Sequence, residues 1–130
     1  MKDVSLSALC KMYHITRRVI QGYEKEGLVK RIGKNKYGHL MYSNDSIKKV
    51  AYIRFLQING LTLKEISKIM ESSFNTNKFK KEVIKCNHKH IEESIRLNKL
   101  IEENTKLLKI SNETQLINTI MEGIIKWNHF

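Results

Sequence analysis

The chain has 130 residues, 41% apolar and 28% charged, and its 24 Lys and Arg against 13 Asp and Glu give a formal net charge of +11. This composition excludes a wholly disordered chain, a collagen-like chain and a disulfide-stapled miniprotein, and the positive excess favours a polyanionic partner, either nucleic acid or an anionic membrane surface. Two distant cysteines, Cys10 and Cys86, and no stretch that reads as a secretory signal make a reducing cytoplasm the expected location, while apolar runs of only a few residues exclude a transmembrane helix.

In chain order, Ser5 offers an N-cap to a short amphipathic helix with Leu6, Leu9, Cys10 and Tyr13 on one face. A second helix is expected to start at Thr16, whose hydroxyl would cap it while Ile15 and Ile20 form a hydrophobic staple, and to end at Gly27. Only His14 and Ile15 connect the two, which is helix-turn-helix spacing, and the second helix opens with Arg17 and Arg18. Residues 28–32 and 39–42 read as two strands around a turn bounded by Gly33 and Gly38 that carries Lys34, Lys36 and Tyr37, a basic hairpin wing. Between positions 11 and 36 stand eight basic side chains and only two acidic ones, Glu24 and Glu26, so the positive charge is concentrated here. Glu24 is expected to pair with a basic neighbour rather than to act as an acid.

A third helix is expected from the Ser43-Asn44-Asp45 cap to Asn59-Gly60, burying Ile47, Val50, Ala51, Phe55 and Ile58. Thr62 and Glu65 have the spacing of a capping box that opens a fourth helix, with Ile66, Ile69 and Met70 inward. The domain would close near Glu71, and residues 72–78 read as a polar linker. No breaker follows from Phe79 to Lys109, and a helix over 79–109 would extend roughly 46 Å, too long to pack on so small a domain. Ile84, Ile91, Ile95, Asn98, Ile101, Thr105 and Leu108 form an imperfect coiled-coil stripe that Leu97, Leu100 and Leu107 widen. Within 110–130 a last helix, 113–127, carries Leu116, Ile117, Ile120, Met121, Ile124 and Ile125 on one side. What remains beyond Glu71 is expected to leave no room for a separate effector domain beside the long helix.

The sequence lacks Gly-x-Ser-x-Gly, the phosphate-cradling Gly-x-x-x-x-Gly-Lys and His-Glu-x-x-His, so neither enzyme activity nor a cofactor is expected. Cys86, His88 and His90 form the one metal-ligand or redox candidate, because Cys86 and His90 stand four apart on one helical face. An incomplete ligand set makes an ordinary cysteine the expected reading, with no metal bound. Cys10 is expected to pack in the first helix.

The segment from Ile15 to Val29 resembles the signature of the MerR family of bacterial transcription regulators, usually valine-x-Arg-Thr-Leu-Arg-Tyr-Tyr-Glu-x-x-Gly-Leu. The wing with Gly38 and Tyr42, the Tyr42-Ser43 step and the run Gly60-Leu61-Thr62-Leu63-Lys64-Glu65-Ile66 follow in family order, so the resemblance covers about residues 4–71. It implies a mainly α fold: a winged helix-turn-helix DNA-binding domain with a small β-hairpin wing, a long helix that dimerises antiparallel with its twin, and a short C-terminal helix packed on the dimer.

By position it implies that Thr16, Arg17, Arg18 and Gln21 face the major groove, with Tyr23 at a phosphate and Lys34, Lys36 and Tyr37 on the backbone. Tyr23, three residues beyond Ile20, fits a core position equally well. Family members act as homodimers on double-stranded promoter DNA, distorting it so that RNA polymerase can engage. Gln21 and Gly22 replace the family's Arg-Tyr, and Leu40 stands where the wing usually has its arginine. The operator therefore does not carry over. An architectural or recombination-associated, excisionase-like DNA-binding protein is the alternative, and a basic adaptor for RNA or a membrane surface is the rival from another class.

Overall fold

The computed structural model describes residues 3–71 and 74–127, without the side chains of 125–127. Two compact units divide between Val83 and Ile84.

The first unit begins with β1 (Val4–Ser5) and α1 (Leu6–Tyr13). Ser5 caps α1 as expected, its hydroxyl accepting from the Ala8 amide at 3.1 Å. His14 ends the helix in the left-handed region at φ 53°, and the amide of Ile15 closes onto the Cys10 carbonyl at 3.0 Å. That one turn leaves only Ile15 and Thr16 before α2 (Arg17–Lys25). Thr16 stands at the N-cap, but its hydroxyl makes no cap bond, so the expected cap is replaced by the Val19 amide on the Thr16 carbonyl at 3.1 Å. Gly27 at φ 73° ends α2: its amide bonds the Glu24 carbonyl and that of Leu28 bonds the Tyr23 carbonyl, both at 2.9 Å, a Schellman closure.

Leu28 and Val29 are not a strand as expected. They are buried in the core, and β2 (Arg31–Lys34) begins only afterwards, followed by β3 (Leu40–Tyr42). The antiparallel sheet has the order β1-β3-β2, with Val4 opposite Tyr42 and Ser5 opposite Met41. β1 was not expected, because two residues carry no periodicity to read.

α3 (Asn44–Ile58) buries Ser46, Val50, Ile53 and Leu56. Of the expected inward set, Val50 is buried and Ile47 packs at the core's edge, whereas Ala51, Phe55 and Ile58 are exposed, Ile58 to 75%. Apolar side chains fall on every side of this helix among its polar ones, so spacing alone does not select its inner face. Tyrosines from the other helices hold the observed one: the Tyr13 hydroxyl donates to the Ile47 carbonyl and the Tyr23 hydroxyl to Gln57 Oε1, the latter at 2.7 Å. Gly60 closes α3, and α4 (Leu63–Ile69) opens with the expected capping box between Thr62 and Glu65. Ile66 is fully buried, Ile69 and Met70 half-buried.

α5 (Thr76–Leu107) starts three residues before the expected Phe79, because Asn75 caps it through a 3.0 Å bond from the Lys78 amide. Phe74, expected in a solvated linker, lies with its ring centroid 5.1 Å from Tyr52, and Phe79 lies 4.8 Å from Tyr52 and 5.3 Å from Phe55. Ser72 and Ser73 of that linker lie outside the described residues.

The second unit contains the rest of α5 and α6 (Glu113–Trp127), whose first turn is capped by Asn112 through the Gln115 amide at 3.1 Å. A cavity of about 130 Å³ lies between Leu100 and Leu107 of α5 and Ile120 and Ile124 of α6. The Ile125 side chain, expected on the same face, lies outside the described residues.

Candidate nucleic-acid interface

The first turn of α2 presents Arg17, Arg18 and, one turn on, Gln21, all exposed together with the preceding Thr16. Their inward counterparts, Ile20 and Tyr23, are buried and fix this face outward. A groove of about 530 Å³ runs between the start of α1 (Ser5, Leu6, Ser7), Arg17 of α2, and Arg31, Lys34, Gly38, His39 and Leu40 of the wing. Three of its lining side chains are permanent cations, and none is acidic.

A β-bulge explains how β2 aims two cations into one groove. Arg31 lies opposite Tyr42 and Lys34 opposite Leu40, but Gly33 lies opposite Met41, so Ile32 is an extra residue in the ladder. Three residues apart on a regular strand, positions 31 and 34 would point to opposite faces. The bulge returns Lys34 to the face of Arg31. Gly33 takes φ 126° there, a conformation that a side chain disfavours.

At the wing tip, Asn35 Oδ1 accepts from the amides of Tyr37 and His39 at 3.0 Å each, and Gly38 turns at φ 81°. This Asx-type turn leaves Lys36 and Tyr37 outward, Tyr37 72% exposed, with Lys36 Nζ 5.1 Å from its ring centroid. Behind the groove, Glu24 pairs with Arg31, Nε donating to Oε2 at 3.0 Å, and its other oxygen accepts from the Tyr42 hydroxyl. Burial and the Glu24 carboxylate hold the Tyr42 phenol well above the ordinary tyrosine range.

Of the residues expected to contact DNA, Thr16, Arg17, Arg18, Gln21, Lys34, Lys36 and Tyr37 are exposed. Tyr23 is 1% exposed and its hydroxyl donates to Gln57, so its side chain packs in the core, the other position that the sequence allowed it. Arg31, His39 and the start of α1 join the groove without having been selected from the sequence; glycine at 33 was the available signal of a bulge, but which cation it re-aims depends on the register.

Elsewhere, Cys86 is buried and His88 and His90 are exposed, and among the described residues no group of three or more His, Cys, Asp or Glu could hold a metal ion. Burial raises the Cys10 thiol above its ordinary range, with Arg17 opposing. Among the described residues no helix is long and apolar enough to cross a membrane.

Two short helices joined by a tight turn, a basic exposed face on the second and a cationic hairpin beside it define a winged helix-turn-helix DNA-binding domain. Residues 4–73 match the family described as MerR HTH family regulatory protein, more than half of the chain, and the chain belongs to that family. It carries the DNA-binding domain of a MerR-type transcription regulator.

Nodulation protein NolA of Bradyrhizobium elkanii is 34% identical over 68 residues, 52% of this chain and 31% of that protein. NolA of Bradyrhizobium diazoefficiens is 26% identical over 111 residues, 85% of this chain and 45% of that protein. The chain thus spans less than half the length of these curated relatives. Among solved structures, a MerR-family transcriptional regulator from Bacillus cereus superposes with TM-score 0.63 at 18% identity, covering 95% of this chain and 98% of that one. The N-terminal part of MtaN, the Bacillus subtilis multidrug transporter activator, gives 0.69 at 16% identity, covering 82% and 99%. HiNmlR, a MerR-family regulator lacking its sensor domain and bound to promoter DNA, gives 0.54 at 18%, covering 82% and 90%. These likenesses establish the fold.

Proposed function

We propose that the chain binds promoter DNA as a homodimer, with α2 of each copy in the major groove and the wing on the backbone, and distorts the duplex to control transcription. The observation that carries this reading is the groove in which Arg17, Arg31 and Lys34 converge beside the exposed Arg18 and Gln21. Arginine forks match guanine edges and phosphates, and lysines supply charge without sequence information. HiNmlR, of the same fold, is described as bound to promoter DNA, which supports the same partner here.

Dimerisation is assigned to α5 beyond Val83. Ile84, Ile91, Ile95 and Ile101 of α5, and Leu108 just past its end, are each more than half exposed in the single chain, Asn98 lies exposed among them, and Cys86 is the one buried residue of α5. Helices in proteins owe most of their stability to packing of an apolar face, and a second copy supplies it for this stripe. The α6 face of Ile117, Ile120, Met121 and Ile124 would pack on the same dimer.

Bending and untwisting the duplex costs a few kcal/mol, offset by backbone contacts from two wings and two helices, and RNA polymerase at the promoter is the functional partner. The protein would act in the cytoplasm. The test is selection of bound fragments from genomic DNA of the source organism. A small set of promoter segments is expected, whereas many dispersed sites without promoter character would refute promoter control.

A further inference from the structure

On β3 of the wing, position 40 carries an uncharged side chain, Leu40. A guanidinium reaches the same sheet face from the neighbouring strand. Arg31 on β2 lies opposite Tyr42, and Leu40 precedes Tyr42 by two residues on β3, so positions 31, 40 and 42 share one face. Arg31 and Leu40 both line the basic groove.

The chain of contacts behind Arg31 runs from core to surface. Tyr42 is fully buried and donates its hydroxyl to Glu24; the Glu24 side chain is 17% exposed; the Arg31 side chain, at 46%, is the outer end. Glu24 engages Nε at 3.0 Å, one of the five N–H donors in a planar fork.

We infer that Arg31, presented from β2, is a phosphate-contacting residue of the groove, and that Glu24 is its positioning residue. The inference rests on the duplex-binding reading above. Guanidinium geometry suits it, since an edge held by a carboxylate leaves the terminal nitrogens directed at a second oxyanion. Glu24 holds Arg31 through Nε alone, so the guanidinium keeps its terminal N–H donors for a phosphate and the carboxylate adds direction to that contact. Because Glu24 belongs to α2, which also carries Arg17, Arg18 and Gln21, a phosphate held by Arg31 fixes the depth and register at which that helix meets the bases.

The test uses the full chain with two duplexes of equal length, one selected from a random pool for binding the wild-type protein and one of scrambled sequence. Affinity is measured between about 50 and 200 mM salt, with thermal unfolding of each variant alongside. Arg31→Ala is expected to lower the slope of log affinity against log salt by about 0.9 per bound copy. Arg31→Lys keeps the charge and is expected to restore the slope, but not the preference for the selected duplex.

Glu24→Gln is the decisive variant. It adds one positive charge, so simple electrostatics predicts tighter binding to both duplexes. Loss of positioning predicts about tenfold weaker binding to the selected duplex, with the scrambled one unchanged or tighter. Tightening on the selected duplex would overturn the inference, as would a lowered thermal midpoint with an unchanged salt slope in Arg31→Ala, the signature of a purely structural ion pair. Should Arg31→Ala not fold, the other two variants decide. Wild-type protein that bound neither duplex, or bound without salt dependence, would overturn the duplex-binding reading itself and this inference with it.

Discussion

Replacing Tyr23 with Phe separates a core role from a phosphate contact at a residue where both fit the sequence. The ring, 1% exposed, keeps its packing in the variant, and only the hydroxyl is lost. That hydroxyl donates to Gln57 Oε1 at 2.7 Å, and the same oxygen keeps a longer 3.4 Å contact from Arg54, so the acceptor is not left orphaned. Loss of one such bond costs about 0.5–1.5 kcal/mol. For a domain of this size each kcal/mol moves the thermal midpoint by about 4–8 °C, so a drop of about 2–12 °C is expected. Circular dichroism on heating measures it, and a parallel titration with duplex DNA should show affinity unchanged at every salt concentration. An unchanged midpoint with weakened duplex binding would refute the core assignment and return Tyr23 to the phosphate.

Leu56→Ala, at a fully buried position of α3, should destabilise by about 2–5 kcal/mol, whereas Ile58→Ala, 75% exposed, should change stability by no more than about 0.5 kcal/mol; urea unfolding of both reads which face of α3 is inward. Gly33→Ala meets no atom within 4 Å, so its cost is backbone strain at φ 126°, about 1–3 kcal/mol, and it should weaken duplex binding as the bulge that aims Lys34 is lost. The double substitution of Ile91→Glu with Ile101→Glu on the exposed stripe should give a monomer by sedimentation, and a persisting dimer would place the interface elsewhere. Because the folded chain raises the Tyr42 phenol above its unfolded value, the stability it contributes is present below about pH 10 and lost as pH rises past that value; Tyr42→Phe should flatten the alkaline fall in thermal midpoint.

Local chemistry made the starts of α1 and α4 and the ends of α2 and α3 legible. The Ser5 cap, the Thr62–Glu65 box and the closures at Gly27 and Gly60 each involve groups within a few residues of one another, so the sequence displays both partners of every bond. The inner face of α3 was not legible. Ile47, Ala51, Phe55 and Ile58 make as regular a stripe as the buried set, and the choice between them depends on packing partners distant in the chain; the bonds of Tyr13 and Tyr23 to α3 each span 34 positions. Phe74 misled for a related reason. Its polar neighbours read as linker, yet Tyr52 and Phe79 give its ring a place to pack.

The interface divides along the same line. Charge type and helical position pointed to Arg17 and Arg18, and the family resemblance to Gln21; on α2 the exposure of all three follows from the burial of Ile20 and Tyr23. On the wing, charge type alone does not give direction. Lys34 shares the groove face because Ile32 is an extra residue in the ladder, and Arg31, set on that face by its register with Tyr42, is held at Nε by a carboxylate seven residues earlier on another element. The same register sets Arg31 on the sheet face that carries Leu40 and Tyr42, because two strands that pair present neighbouring side chains to one side. Leu40 and Tyr42 stand nine and eleven residues beyond Arg31 on another strand, so their shared face follows from the pairing and not from spacing along one strand.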